Sequence, residues 1–272
     1  IIDPAFEGGR LRETFPAIRA AALAAARRMA AQAGAEIDVE PETSHAAADV
    51  IFRTLFSVPI EHETAAGVFA AFRAHQDAQP IVNAGALIPL PGWFPRFHSR
   101  RTKTTARHIR ELIAGLVAER AGRIKDGTAP DDLATKIMTT ADPLTGQTFT
   151  PPEMVDQVAI FFLAGHETSA SALAWSLWLL AANPDWQERV AAESIAAPGF
   201  SEIGQLRAAR AVFREALRLY PPVPMMVREA TRPETFRGRK VPKGAQLILS
   251  PWHLQRHERI WDNPDEFDPA RW

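Results

Sequence analysis

Apolar residues recur at helical spacing through most of this chain, and the period shortens toward two only after Val223. The pattern predicts helices over 11–32, 41–56, 61–79, 97–126, 131–139, 151–182, 184–193 and 206–220. The segment 87–94, with Pro89 and Pro91 and with Pro95 just beyond, reads as a rigid loop. Short strands are expected near 235–236 and 246–249. Val241-Pro242-Lys243-Gly244, read as a turn with proline second, would join them. The expected fold class is mainly α with a small β portion: a helical part over 1–220 and a small sheet and meander over 221–272, sharing one core as a single domain.

The helix over 151–182 is the most informative element. Thr150 is a good N-cap, Pro151 fits the first helical position, and Glu153 stands where a capping box needs it. Apolar residues fill it from Val158 to Leu163 and again from Leu173 to Leu180, and Asn183-Pro184 ends it. At 1.5 Å per residue it is about 45–50 Å long, enough to cross a domain. In its apolar middle stands Ala164-Gly165-His166-Glu167-Thr168-Ser169. Burying an unpaired polar group costs about 1–3 kcal/mol, so Glu167 and Thr168 need a reason to be there. A zinc-protease pattern is excluded, because it needs a second His four residues after His166 and position 170 is Ala. Two readings are left. In one, Thr168 bonds back to the Ala164 carbonyl and Glu167 points to solvent. In the other, Gly165 removes a side chain where something approaches the backbone, Thr168 holds open a distortion, and Glu167 is a proton source.

Further along, Glu215 and Arg218 lie three apart on one helix face. Tyr220-Pro221-Pro222-Val223-Pro224 must then run extended. The chain closes on Phe267-Asp268-Pro269-Ala270-Arg271-Trp272. In order and separation, these three segments resemble the cytochrome P-450 family. An Asp142-Pro143-Leu144-Thr145-Gly146 loop ahead of the long helix and Arg228 after the Pro-rich strand belong to the same resemblance. It implies a P-450 fold and a haem b monooxygenase. Such an enzyme inserts one atom of O2 into a small apolar substrate and draws electrons from a partner such as ferredoxin or a flavoprotein reductase.

Residue by residue, the resemblance places Ala164 and Gly165 close to the haem, with Glu167 and Thr168 delivering protons for oxygen activation. Arg228 would pair a haem propionate, the alternative being an exposed strand arginine. Val223, Met225, Met226 and Val227 would line the substrate pocket from the strand side, and Phe161 and Phe162 from the helix side. Core packing is equally open for each of these six. Glu215, Arg218 and Arg271 would form a structural charge cluster. The Asp142–Gly146 loop and Pro-rich strand lean toward fatty-acid-like substrates.

One departure stands out. The family holds its iron through a cysteine thiolate beyond the Phe-x-Pro-x-Arg segment, and this chain contains no cysteine, hence no metal ligand of its own. The segment from Ile1 to Phe6 resembles the stretch that follows a haem-contacting helix in relatives. The chain is therefore expected to be an internal portion, an incomplete P-450 fold, inactive or nearly so alone. The competing expectation is a non-catalytic pseudo-enzyme or gene fragment that binds an apolar ligand or partner without haem.

Composition adds a little. The net charge is −1, from 31 basic and 32 acidic residues, which implies no nucleic-acid partner. Abundant Ala, and Arg in excess of Lys, suggest a bacterial gene, and the absence of Cys is compatible with a cytoplasmic protein. No segment is long and apolar enough to span a membrane, and an anchor upstream of Ile1 is compatible with this. His45, His62, His75, His98, His108, His253 and His257 show no ligand spacing and are expected to be structural or superficial.

Overall fold

The computed structural model describes residues 10–79, 99–197 and 199–272. The expectations for Ile1–Phe6, for the 87–94 loop and for His98 lie outside them. The helices, in chain order, are α1 (Arg10–Ala30), α2 (Val39–Leu55), α3 (Glu63–Asp77), α4 (Arg100–Lys125) and α5 (Leu133–Thr139), then α6 (Pro151–Ala182), α7 (Pro184–Ala196), α8 (Arg207–Leu219) and a single turn, α9 (Pro251–Leu254). The strands are β1 (Met226–Glu229), β2 (Glu234–Phe236), β3 (Arg239–Val241) and β4 (Gln246–Leu249). Two compact units divide at Glu167/Thr168, inside α6.

The first unit is helical. Its core is Phe52 and Leu55 of α2, Val68 and Phe72 of α3, Ile109, Ile113 and Val117 of α4, Ile137 of α5, and Met154, Val158 and Phe162 of α6. A buried ion pair pins this core. Arg120 bonds Asp132 and also donates to the Phe56 carbonyl at 2.7 Å and to Thr135 Oγ1 at 2.8 Å. Asp132 in turn accepts from Ser57 Oγ at 2.9 Å and caps α5 through the Thr135 amide at 3.0 Å. At the head of α6, Glu153 Oε2 accepts the Thr150 amide at 2.9 Å, but the Thr150 hydroxyl donates to the same carboxylate at 2.6 Å. Only half of the expected capping box is made, because the carboxylate captures the hydroxyl that would have accepted from the helix. Both bonds hold the Glu153 carboxyl below its ordinary value. In the loop before it, Asp142 Oδ1 accepts the Leu144 and Thr145 amides at 2.8 and 2.9 Å, which makes the loop a self-capped turn.

The second unit contains the end of α6, then α7, α8, the strands and the C-terminal meander. Glu193 caps α8 from a distance. Its carboxylate accepts three amides, those of Arg207 at 2.6 Å, Ala208 at 3.0 Å and Ala209 at 3.1 Å. Desolvation would raise the Glu193 pKa, but these three donors outweigh it and bring it below the usual value. Glu193→Ala should cost about 1 kcal/mol of stability at neutral pH. A depressed carboxyl stabilises above its unfolded pKa and stops doing so as pH falls through the folded one. The gap between wild type and variant, read from urea unfolding, should therefore close in acid.

The expected single sheet is two separate ribbons. β2 pairs β3 across a tight turn at Arg237 and Gly238, both with positive φ, whereas β4 pairs β1 in the register Met226↔Leu249 to Glu229↔Gln246. The proline turn therefore joins β3 to β4, not the 235–236 strand to β4. It is also shifted by one residue: the Ala245 amide donates to the Pro242 carbonyl at 3.1 Å, with Gly244 at φ +85° in the third position. Gly244, not Pro242, sets this turn, since only glycine takes that angle without strain.

Candidate functional site

α6 has two faces in the first unit. Met154, Val155, Val158, Phe162 and His166 are buried, while Ile160, Leu163, Ala164 and Glu167 are exposed at spacings of three and four. An apolar stripe of that kind, with Ile160 55% exposed, ends at an acid followed directly by Thr168, which is half-buried. Ala164 supplies the small residue on this open face. Gly165 does not. A Cβ there would lie 3.3 Å from Ile51 Cδ1, so its missing side chain accommodates α2 and leaves no gap for a ligand. Glu167 Oε1 accepts from Gln76 Nε2 of α3 at 2.5 Å.

Phe162 is only 2% exposed. Its ring stacks on Phe72 at 4.2 Å and on His166 at 5.3 Å, and meets Phe52 at 5.3 Å. Of its two readings, core packing accounts for these surroundings. Phe161 is half-buried and packs against the core from its edge. His166 is also 2% exposed, with Nε2 2.8 Å from Ser44 Oγ and its ring edge-on to Phe69. Burial holds the His166 imidazole below its usual pKa. Its place in the motif was not recognised from sequence. The signal was present, since His166 continues the buried series Val158, Phe162, Ala170 at steps of four.

In the second unit, Val223, Met225 and Val227 are exposed and Met226 is half-buried. With Leu247, Ile248 and Leu249 they leave an uncovered apolar ribbon around β1 and β4. Arg228 is exposed as well, donates from Nη1 to its neighbour's carbonyl, Val227 O, at 2.9 Å, and has no ion pair among the described residues. Glu215 and Arg218 are 0% and 1% exposed and face each other as a fork: Nη2 to Oε1 at 2.7 Å and Nε to Oε2 at 2.8 Å. Arg271 Nε reaches Glu215 Oε1 at 3.2 Å, and Trp272 Nε1 reaches Oε2 at 3.1 Å. The remaining donors of Arg218 go to the carbonyls of Gln255, Pro264 and Glu266. Beside this cluster, Trp175 stacks on Tyr220 at 3.7 Å and Arg256 lies 3.6 Å over Trp252. None of these ring partners was singled out from sequence, because they meet only through tertiary contacts.

A family-wide profile described as Cytochrome P450 matches residues 2–272. The chain belongs to the cytochrome P450 family. Among curated relatives, cyclooctat-9-en-7-ol 5-monooxygenase of Streptomyces melanosporofaciens is 31% identical over 88% of this chain and 52% of its own length. The 11-oxo-beta-amyrin 30-oxidase of Glycyrrhiza uralensis is 28% identical over the whole chain and 55% of its own. The heme domain of cytochrome P450DA superposes with a TM-score of 0.80 over 99% of this chain and 57% of that one, at 24% identity, which speaks for the fold. The chain thus spans about half the length of the P450 relatives it matches. Matching relatives come from bacteria, plants and animals, so the likeness does not settle a bacterial source. Among the described residues no helix is long and apolar enough to cross a membrane.

P450 proteins use haem, and the residues present fit it only in part. The Ile160–Leu163–Ala164 stripe offers an open apolar face with one small residue, and Arg228 has N–H donors for a carboxylate. The iron is another matter. The chain has no cysteine, and no group of His, Cys, Asp or Glu among the described residues could hold a metal ion. No cysteine thiolate for the iron comes from these 272 residues.

Proposed function

We propose that this chain forms the oxygen-side portion of a P450 monooxygenase that inserts one atom of O2 into an apolar organic substrate, with the thiolate ligand supplied by residues outside the 272. The observation that carries the reading is the exposed stripe of α6 ending in Glu167-Thr168. Haem, when bound, supplies the oxygen chemistry. The chain's own part is narrower: Ala164 keeps the helix surface low, Glu167 takes protons from solvent, and the Thr168 hydroxyl passes them on. Val223, Met225 and Val227, exposed and adaptable, supply apolar contact for substrate. Electrons come from a ferredoxin or a flavoprotein reductase.

The substrate reading moves away from fatty acids. Three relatives that match most of the chain are named for cyclooctat-9-en-7-ol, 11-oxo-beta-amyrin and pentalenene, which favours a terpenoid-type substrate. The test is oxygen incorporation. A haem-loaded protein containing this chain, given electrons, 18O2 and an apolar terpenoid alcohol, should place one 18O atom in the product. With a long-chain fatty acid it should turn over less. Loaded, reducible protein that incorporates none with either class would overturn the reading.

The absence of cysteine favours a second reading for the 272 residues taken alone, that of a non-catalytic apolar binder. Reconstituted with haem, reduced and exposed to carbon monoxide, this chain should lack the spectrum of a thiolate-ligated haem. A thiolate-type spectrum from the chain alone would contradict the ligand assignment.

A further inference from the structure

Two side chains of α3, three residues apart and so on one face, connect to the two α6 residues that precede Thr168, Gln76 directly and Arg73 through Ser44 of α2. Gln76 donates to Glu167. Arg73 Nη1 lies 3.2 Å from Ser44 Oγ, which lies 2.8 Å from His166 Nε2. The same Arg73 nitrogen reaches both Glu40 oxygens, at 3.1 and 3.3 Å, near the surface.

Hydrogen-bond chemistry gives this chain a direction. A guanidinium only donates, so Ser44 Oγ accepts from Arg73. The second lone pair of Ser44 Oγ could take a hydrogen from Nε2, but among the described residues His166 Nε2 is the acceptor within reach of the Ser44 hydroxyl proton, and donating to it satisfies both groups. Nε2 is then an acceptor, and the imidazole is neutral with its proton on Nδ1. Protonating Nε2 would reverse the chain and set two cations, His166 and Arg73, around one hydroxyl. Burial opposes that charge, and so does Arg73. Glu167 on the same helix, the Ser44 backbone and Glu40 on α2 favour it, but burial outweighs them and Glu40 is already engaged by Arg73.

We infer that α3 sorts the proton traffic of the α6 motif: Gln76 positions the Glu167 carboxylate, and Arg73, acting through Ser44, keeps the adjacent His166 neutral and out of that traffic. Gln76 and Arg73 are positioning residues, and the functional half of this inference rests on the reading of Glu167 as proton source.

The tautomer is measured without haem, by 15N and 13C NMR of the histidine-labelled 272-residue chain. His166 should be neutral with hydrogen on Nδ1 at neutral pH. Arg73→Leu should raise its proton affinity roughly tenfold, the scale of removing a nearby like charge, and Arg73→Lys should largely restore the wild-type titration. A hydrogen on Nε2 in the wild type overturns the inference without any variant, as does an unchanged titration in folded Arg73→Leu. In a haem-loaded protein containing the chain, Gln76→Leu should lower product per electron severalfold with substrate affinity held within twofold. Arg73→Leu should make that ratio pH-dependent where His166 titrates. If Thr168→Ala uncouples the enzyme while both α3 variants do not, this inference fails and the functional reading stands. If Thr168→Ala leaves coupling intact, the functional reading fails whatever the tautomer.

Discussion

Arg218→Ala should remove about 3–5 kcal/mol of stability, the usual cost of breaking a buried ion pair by deleting one partner. Total stabilities of about 5–15 kcal/mol make that a large share. The cost has two sources. Glu215, fully buried, would keep only Arg271, the Trp272 indole and the Asp268 amide, and would lose its only fully buried cation. The carbonyls of Gln255, Pro264 and Glu266 would lose the donors that tie the meander to α8. Arg218→Lys keeps the charge but not the fork, and should recover only part of the loss. The pH dependence follows from Glu215. Burial alone would raise its pKa, yet Arg218 and the Asp268 amide outweigh that and hold it low. Its contribution is therefore present above the unfolded carboxyl value and fades as pH falls through the lower folded one. Urea unfolding of wild type and Arg218→Ala at neutral pH and near pH 3 checks both claims. A neutral-pH difference under about 1 kcal/mol would show that the cluster does not hold the meander.

What the sequence revealed depended on how local the cause was. The bounds of α6 were legible because Thr150, Pro151 and Asn183-Pro184 act within one turn of the helix ends. Glu215 and Arg218 were paired by helix geometry, but the reach of Arg271 across more than fifty residues came only through the family resemblance. Strand pairing was misjudged for a physical reason. Period-two patterning marks strands but not partners, and the positive φ angles of Arg237 and Gly238 that close the β2–β3 hairpin carry little sequence signal at an arginine. The role of Gly165 depended on Ile51, more than a hundred residues earlier, and so did not show in the motif. His166 hid for a different reason. Its neighbours Glu167 and Thr168 drew the chemical reading, whereas its fixed place on the buried face and its bond to Ser44 are tertiary facts.

The largest effect on chemistry is expected at Thr168. General acid–base steps are typically worth 10²–10⁴-fold, and the Thr168 hydroxyl is proposed to supply one where it follows Glu167 on α6. Losing it should slow proton delivery without disturbing substrate contact, which the account assigns to Val223, Met225 and Val227. Electrons already delivered would then leave as peroxide, so the loss should show in coupling before it shows in electron consumption. Stability should change little, because a half-buried hydroxyl contributes about 1 kcal/mol or so. The deciding measurement is product formed per electron consumed in a haem-loaded protein containing this chain, wild type against Thr168→Ala. A fall of tenfold or more is expected, on the order of a general acid–base step, with substrate affinity within about twofold. An unchanged ratio in a folded, haem-loaded variant would contradict it.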